Sequence, residues 1–123
     1  MLPITGAVAV YSALMLLALS FYVSLGRMKT GVTVGFGQDE DLLRRIRAQG
    51  NFVEYAPMVL ILIGIAEYRG AGATGLWIVA LLLAGGRTLH AAGMLTGLLP
   101  LRGAGMLATY AALIGGVCLV VFN

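Results

Sequence analysis

Residues 1–26 read MLPITGAVAVYSALMLLALSFYVSLG, and none of them carries a charge. An apolar run of about 18 residues or more is long enough to cross a bilayer. A signal peptide would start with basic residues and have a shorter apolar core. The stretch therefore reads as a retained first membrane helix, spanning about residues 3–28 and closed by Arg27 and Lys29. The rest of the chain has the same character. Of its 123 residues 60% are hydrophobic and 11% charged, and the mean hydropathy is +0.98. A soluble domain clothes its surface with about 25% charged residues, and a disordered chain needs low hydrophobicity with high charge. Both classes are excluded. At about 20 residues per span, four spans and short connections use up the chain. The expectation is an all-α, integral membrane four-helix bundle forming a single domain, 1–123.

The remaining spans follow from their punctuation. Glycines 31, 35 and 37 mark a loop. Gly35-Phe36-Gly37 lacks the third glycine and the flanking strand of a nucleotide-binding loop. Asp39, Glu40 and Asp41 suit a helix N-terminus, which predicts a second helix over 40–68. Gly70-Ala71-Gly72 is a turn, a third helix is expected over 73–97, Pro100 and Arg102 fall in the next connection, and a fourth helix covers 103–122. Glycine spacings such as Gly93 and Gly97, or Gly85-Gly86, permit close helix approach. Arg27, Lys29, Arg44, Arg45 and Arg102 gather on one side and only Arg69 on the other, so the first side is expected to be cytoplasmic and both termini to face the far side. With no soluble basic face, nucleic-acid binding is excluded. One cysteine (Cys118) and one histidine (His90) make no metal site.

Several polar residues lie where apolar ones are expected. An ionised side chain at the centre of a span costs about 2.5–3.5 kcal/mol, yet Glu54 follows the start of an apolar run and Arg87 sits inside the third helix. Counted outward from the turn between these helices, both lie ~21 Å deep at 1.5 Å per residue. Asn51 then falls level with His90, and Arg47 level with Met94. Arg47, Asn51, Glu54 and Met58 share one helical face, as do Arg87, His90 and Met94. A buried Glu54–Arg87 pair is the purely structural reading. The surplus of polar groups (Arg47, Gln49, Asn51, Glu54, Arg87 and His90, with Arg27 and Arg102 at the rim) points instead to a cavity for an anionic ligand that also carries an amine. Tyr55 is either an interfacial anchor or a ligand contact.

Arg47-Ala-Gln49-Gly-Asn51-Phe-Val-Glu54-Tyr55-Ala-Pro57 resembles the second-helix signature of the MAPEG family, the membrane-associated proteins of eicosanoid and glutathione metabolism, and Gly86-Arg87-Thr-Leu-His90 resembles a third-helix pattern of its prostaglandin-synthase branch. The closer likeness is to a small bacterial branch, which implies a bacterial inner membrane with both termini periplasmic. The resemblance implies homotrimers that bind glutathione between neighbouring protomers. Glu54 would hold the ligand amine, and Arg47, Gln49 and Asn51 its carboxylates and peptide groups, with Arg87 bracing Glu54 and Tyr55 and His90 nearby. Arg27 matches an arginine position of the family. Arg102 is the candidate for stabilising the thiolate, with protonated His90 in reserve: a thiol with pKa near 8.5 must ionise, and a cation beside it favours that. Met94 departs from the family, standing where eukaryotic members carry a tyrosine. The implied activity is a glutathione transferase or peroxidase acting on lipophilic electrophiles or hydroperoxides from the bilayer. The competing reading is a non-catalytic trimeric scaffold or accessory protein. A transporter, which favours broken helices at the midplane, is disfavoured.

Overall fold

Pro3, whose ring pre-sets a helical φ and whose missing N–H costs nothing in a first turn, opens helix α1, Pro3–Thr30. Arg27 and Lys29 lie in its last turn, where the helix dipole favours cations, and left-handed Gly31 (φ 74°) closes it by donating to the Arg27 carbonyl. The computed structural model describes residues 1–123. Asp39 caps helix α2, Glu40–Tyr68, its carboxylate accepting from the Leu42 amide at 2.8 Å. Pro57 lies inside α2 without ending it, a tolerance usual in spanning helices. Helix α3, Ala73–Thr96, ends at left-handed Gly97 (φ 76°), and helix α4 runs Leu99–Val121.

All four helices are long and apolar enough to cross a membrane. The 28 residues of α1 and 29 of α2 reach ~42 Å, beyond a ~30 Å hydrocarbon core. Large apolar side chains cover the outside, among them Leu14, Leu17, Phe21, Leu81, Leu107 and Ile114, while Val59, Ile63, Leu76, Leu83 and Ala112 fill the inside. A bundle apolar on both its inner and outer surfaces has lipid as its solvent.

The boundaries differ from expectation by more than one residue in two places. α1 continues to Thr30 because Gly31 supplies the stop. α4 begins at Leu99, four residues before the expected 103, because Pro100 occupies the first turn and does not break it. Arg102 is consequently a helical residue.

Polar contacts fasten α1 to its neighbours. Glu67, at the end of α2, accepts from the amides of Ile4 and Thr5 at 2.9 and 2.7 Å and from the Thr5 hydroxyl, satisfying the open start of α1. At the opposite end, Arg45 donates to the Tyr22 carbonyl at 2.9 Å and stacks on the Tyr22 ring at 3.8 Å, while pairing with Asp41. Tyr11 donates to the Ala84 carbonyl and meets the Thr88 hydroxyl on α3.

The α3–α4 contact is closer than side chains allow. A Cβ on Gly93 would collide with the backbone of Arg102, and one on Gly86 would stand 2.9 Å from the Gly105 carbonyl oxygen. Of the glycines expected to permit close approach, Gly86 and Gly93 do so. Gly85 faces open space and Gly97 serves as the helix stop.

Candidate functional site

The α2 residues spaced on one face, Arg47, Asn51, Glu54 and Tyr55, line a cavity of about 390 Å³. From α3 come His90 and Met94, and from α4 Arg102, Met106 and Tyr110. Helix periodicity sets this arrangement: i, i+4 and i+7 on α2, i and i+4 on α3, and i, i+4 and i+8 on α4 each return to the same side. The close approach at Gly93 presses the first turn of α4 onto α3, which carries Arg102 beside Met94. One Arg102 N–H lies 3.9 Å from the Met94 sulfur.

Arg87 forms the floor of this region without facing it. It is 1% exposed, and its donors are taken up inside the protomer. Nε donates to the Thr109 hydroxyl at 2.9 Å, Nη1 to the Asn51 side-chain oxygen and carbonyl, and Nη2 to the Met106 sulfur at 3.2 Å. Thr109 passes its own proton to the Gly105 carbonyl. The guanidinium also lies 5.5 Å from the centre of the Tyr55 ring, which meets Tyr110 edge-on at 5.9 Å. A buried cation without a carboxylate is costly unless its hydrogen bonds are met. Here Asn51 and Thr109 meet them.

The expected Glu54–Arg87 pair does not form. Glu54 pairs instead with Arg47 at 3.5 Å, both about half exposed (51% and 48%). The two expected partners face different ways: Glu54 looks outward and Arg87 inward. Of the other expected site residues, Asn51, Tyr55, His90, Arg47 and Arg102 come together at the cavity. Gln49 and Arg27 do not. Gln49 donates to Ser20 of α1 at 2.9 Å, and Arg27 donates to the Val32 and Gly35 carbonyls, folding the 31–39 connection back on the helix. Sequence reasoning passed over Thr109, Met106 and Tyr110. For Met106 and Tyr110 the signal is their i+4 and i+8 spacing from Arg102, hidden when the fourth helix is begun one residue too late to include Arg102.

The chain is thus a four-span membrane bundle with a cationic, carboxylate-bearing cavity between its second, third and fourth helices. The sequence profile of the MAPEG family matches residues 5–122, and the chain belongs to that family. It is 39% identical, over 106 residues covering 86% of this chain and 81% of the relative, to the inner membrane protein YecN of Escherichia coli K12. The same protein from Escherichia coli O6:H1 matches equally.

Proposed function

We propose that the protein is a homotrimeric inner-membrane enzyme that binds glutathione in this cavity and turns its thiolate on lipophilic electrophiles or hydroperoxides. The observation that carries the proposal is the charge pattern of the lining: two arginines, Arg47 and Arg102, with one carboxylate, Glu54, beside Asn51 and His90. Glutathione presents the complement, with two carboxylates, one ammonium and a thiol. The volume lies within the ~300–1,000 Å³ usual for small-molecule sites. Glu54 holds the ammonium, Arg47 and Asn51 the carboxylates, and Arg102 the sulfur, while Arg87 acts through Asn51 and Tyr55 as a positioning residue. Tyr55 and His90 complete the walls.

The half-exposed Arg47 and Glu54 support the trimer, since charged groups facing hydrocarbon cost a few kcal/mol each and a neighbouring protomer shields them. In this reading Gln49 and Arg27 reach the ligand only across a subunit boundary. The basic end faces the cytoplasm, where glutathione is available, which leaves both termini periplasmic. Thiolate attack on an electrophilic carbon forms a C–S bond as the leaving group departs with its bonding pair or, at an activated double bond, as the π pair moves to the neighbouring atom and is protonated from water. Two glutathione molecules and one hydroperoxide give a disulfide, an alcohol and water.

The test is thermal unfolding of the detergent-purified protein. Glutathione at 100 times its dissociation constant adds about 2.7 kcal/mol, and Glu54→Gln is expected to abolish that gain while leaving a folded trimer. A wild-type protein indifferent to glutathione, or a Glu54→Gln protein that keeps the full gain, overturns the assignment. A second reading, a non-catalytic scaffold, is favoured by one observation: Arg87 is satisfied wholly within the protomer, as a structural polar band requires. Binding without thiolate formation at neutral pH decides for it.

A further inference from the structure

A second cavity, of about 220 Å³, opens where α3 turns into α4, with Met94 and Arg102 as the wall it shares with the first. Arg44 reaches it from α2, its guanidinium carbon 3.6 Å from where a Cβ on Gly97 would stand. Neither Arg44 nor Arg102 has a carboxylate within ion-pair distance; the pairs of the protomer are Arg45–Asp41 and Arg47–Glu54. Two guanidinium groups thus converge on one small cavity at the basic end of the bundle. Its edge is apolar: Leu98 and Leu99 are 53% and 68% exposed.

We propose that this cavity binds the phosphate of an acidic phospholipid in the leaflet that meets the basic end. Guanidinium forks match phosphate oxygens bidentately. Two cations without an acid leave positive charge for a net-negative headgroup to neutralise, whereas a zwitterionic one brings an ammonium of its own. The exposed leucines lie where the acyl chains descend, a contact that free phosphate does not use. Gly97, held in the left-handed conformation (φ 76°) that closes α3, forms the floor beneath the Arg44 guanidinium. Arg44 distinguishes this site from the neighbouring cavity, since it lines only the smaller one, while Met94 and Arg102 line both.

The experiment is thermal unfolding of the full chain in detergent, titrated with short-chain phosphatidylglycerol, short-chain phosphatidylcholine or inorganic phosphate. Phosphatidylglycerol is expected to raise the melting temperature, with little effect from the other two. Arg44→Gln is expected to weaken the phosphatidylglycerol effect by about tenfold or more, the loss that follows when charge-assisted guanidinium–phosphate hydrogen bonds are removed, with glutathione stabilisation unchanged. Lys29→Gln, at the same end but outside the cavity, is expected to keep the wild-type response. Equal responses to the two lipids, or equal losses in Arg44→Gln and Lys29→Gln, overturn the proposal by showing diffuse charge attraction. A response to inorganic phosphate matching that to phosphatidylglycerol overturns the lipid assignment.

Discussion

Replacing Gly93 with alanine tests how tightly the α3–α4 contact holds the site. The added carbon would stand 2.8 Å from Arg102 Cα and 2.9 Å from the Leu101 carbonyl carbon, and closer still to the Arg102 nitrogen. Carbon pairs rest at about 3.5–4.0 Å, so the helices must part by ~1 Å, and backbone atoms cannot rotate away as a side-chain end can. Overpacking of this kind costs about 1–3 kcal/mol. Alanine also gains up to about 1 kcal/mol of helix propensity over glycine. Gly85→Ala, two turns earlier on α3 with nothing within 4 Å of its added carbon, gains the same propensity without the collision. The propensity cancels between the two variants, which are expected to differ by ~1–3 kcal/mol, Gly93→Ala being the weaker. Unfolding by SDS in mixed micelles, followed by circular dichroism, reads the difference. Because the displaced turn carries Arg102, Gly93→Ala is also expected to weaken glutathione stabilisation. Equal stability of the two variants would refute the close contact.

Other outcomes follow from the same geometry. Thr109→Val keeps the shape but strands the Arg87 Nε–H, and a hydrogen bond to a charged group is worth about 1.5–3 kcal/mol; the variant should lose that much stability in the same assay, while Thr109→Ser, which keeps the hydroxyl, should lose less. Arg102→Ala should remove most of the thiolate absorbance of bound glutathione at neutral pH with a modest loss of affinity; thiolate undiminished in the variant would move that role to another cation. A reporter fused after Asn123 should read as periplasmic, and a cytoplasmic signal would reverse the orientation.

The spans were legible because composition alone excludes water as the solvent, and because Asp39, Gly31 and Gly97 punctuate helices by their own chemistry. Pro100 misled because proline both ends helices and begins them, and only the structure shows which it does here. For the site, counting residues along a helix gives depth. Depth brought Asn51 to His90 and Arg47 to Met94 around one cavity. It carries no information about direction around the helix axis, so Glu54 and Arg87, level by that count, take different partners. Thr109 was invisible for a related reason: a buried threonine in an apolar run looks like packing until its acceptor role toward a particular arginine is seen.

The fastening of α1 also bears on the order in which the chain can assemble as it is made. Its contacts with α2, through Glu67, Arg45 and Gln49, lie wholly within residues 1–68. This first hairpin has its clasps in hand before any of α3 is synthesised. Two polar groups are left waiting: the Tyr11 hydroxyl and the Asn51 side chain, whose partners arrive only with Ala84, Arg87 and Thr88. The contacts thus permit the second hairpin to dock onto a template already formed, in which Asn51 stands ready as the acceptor that Arg87 needs.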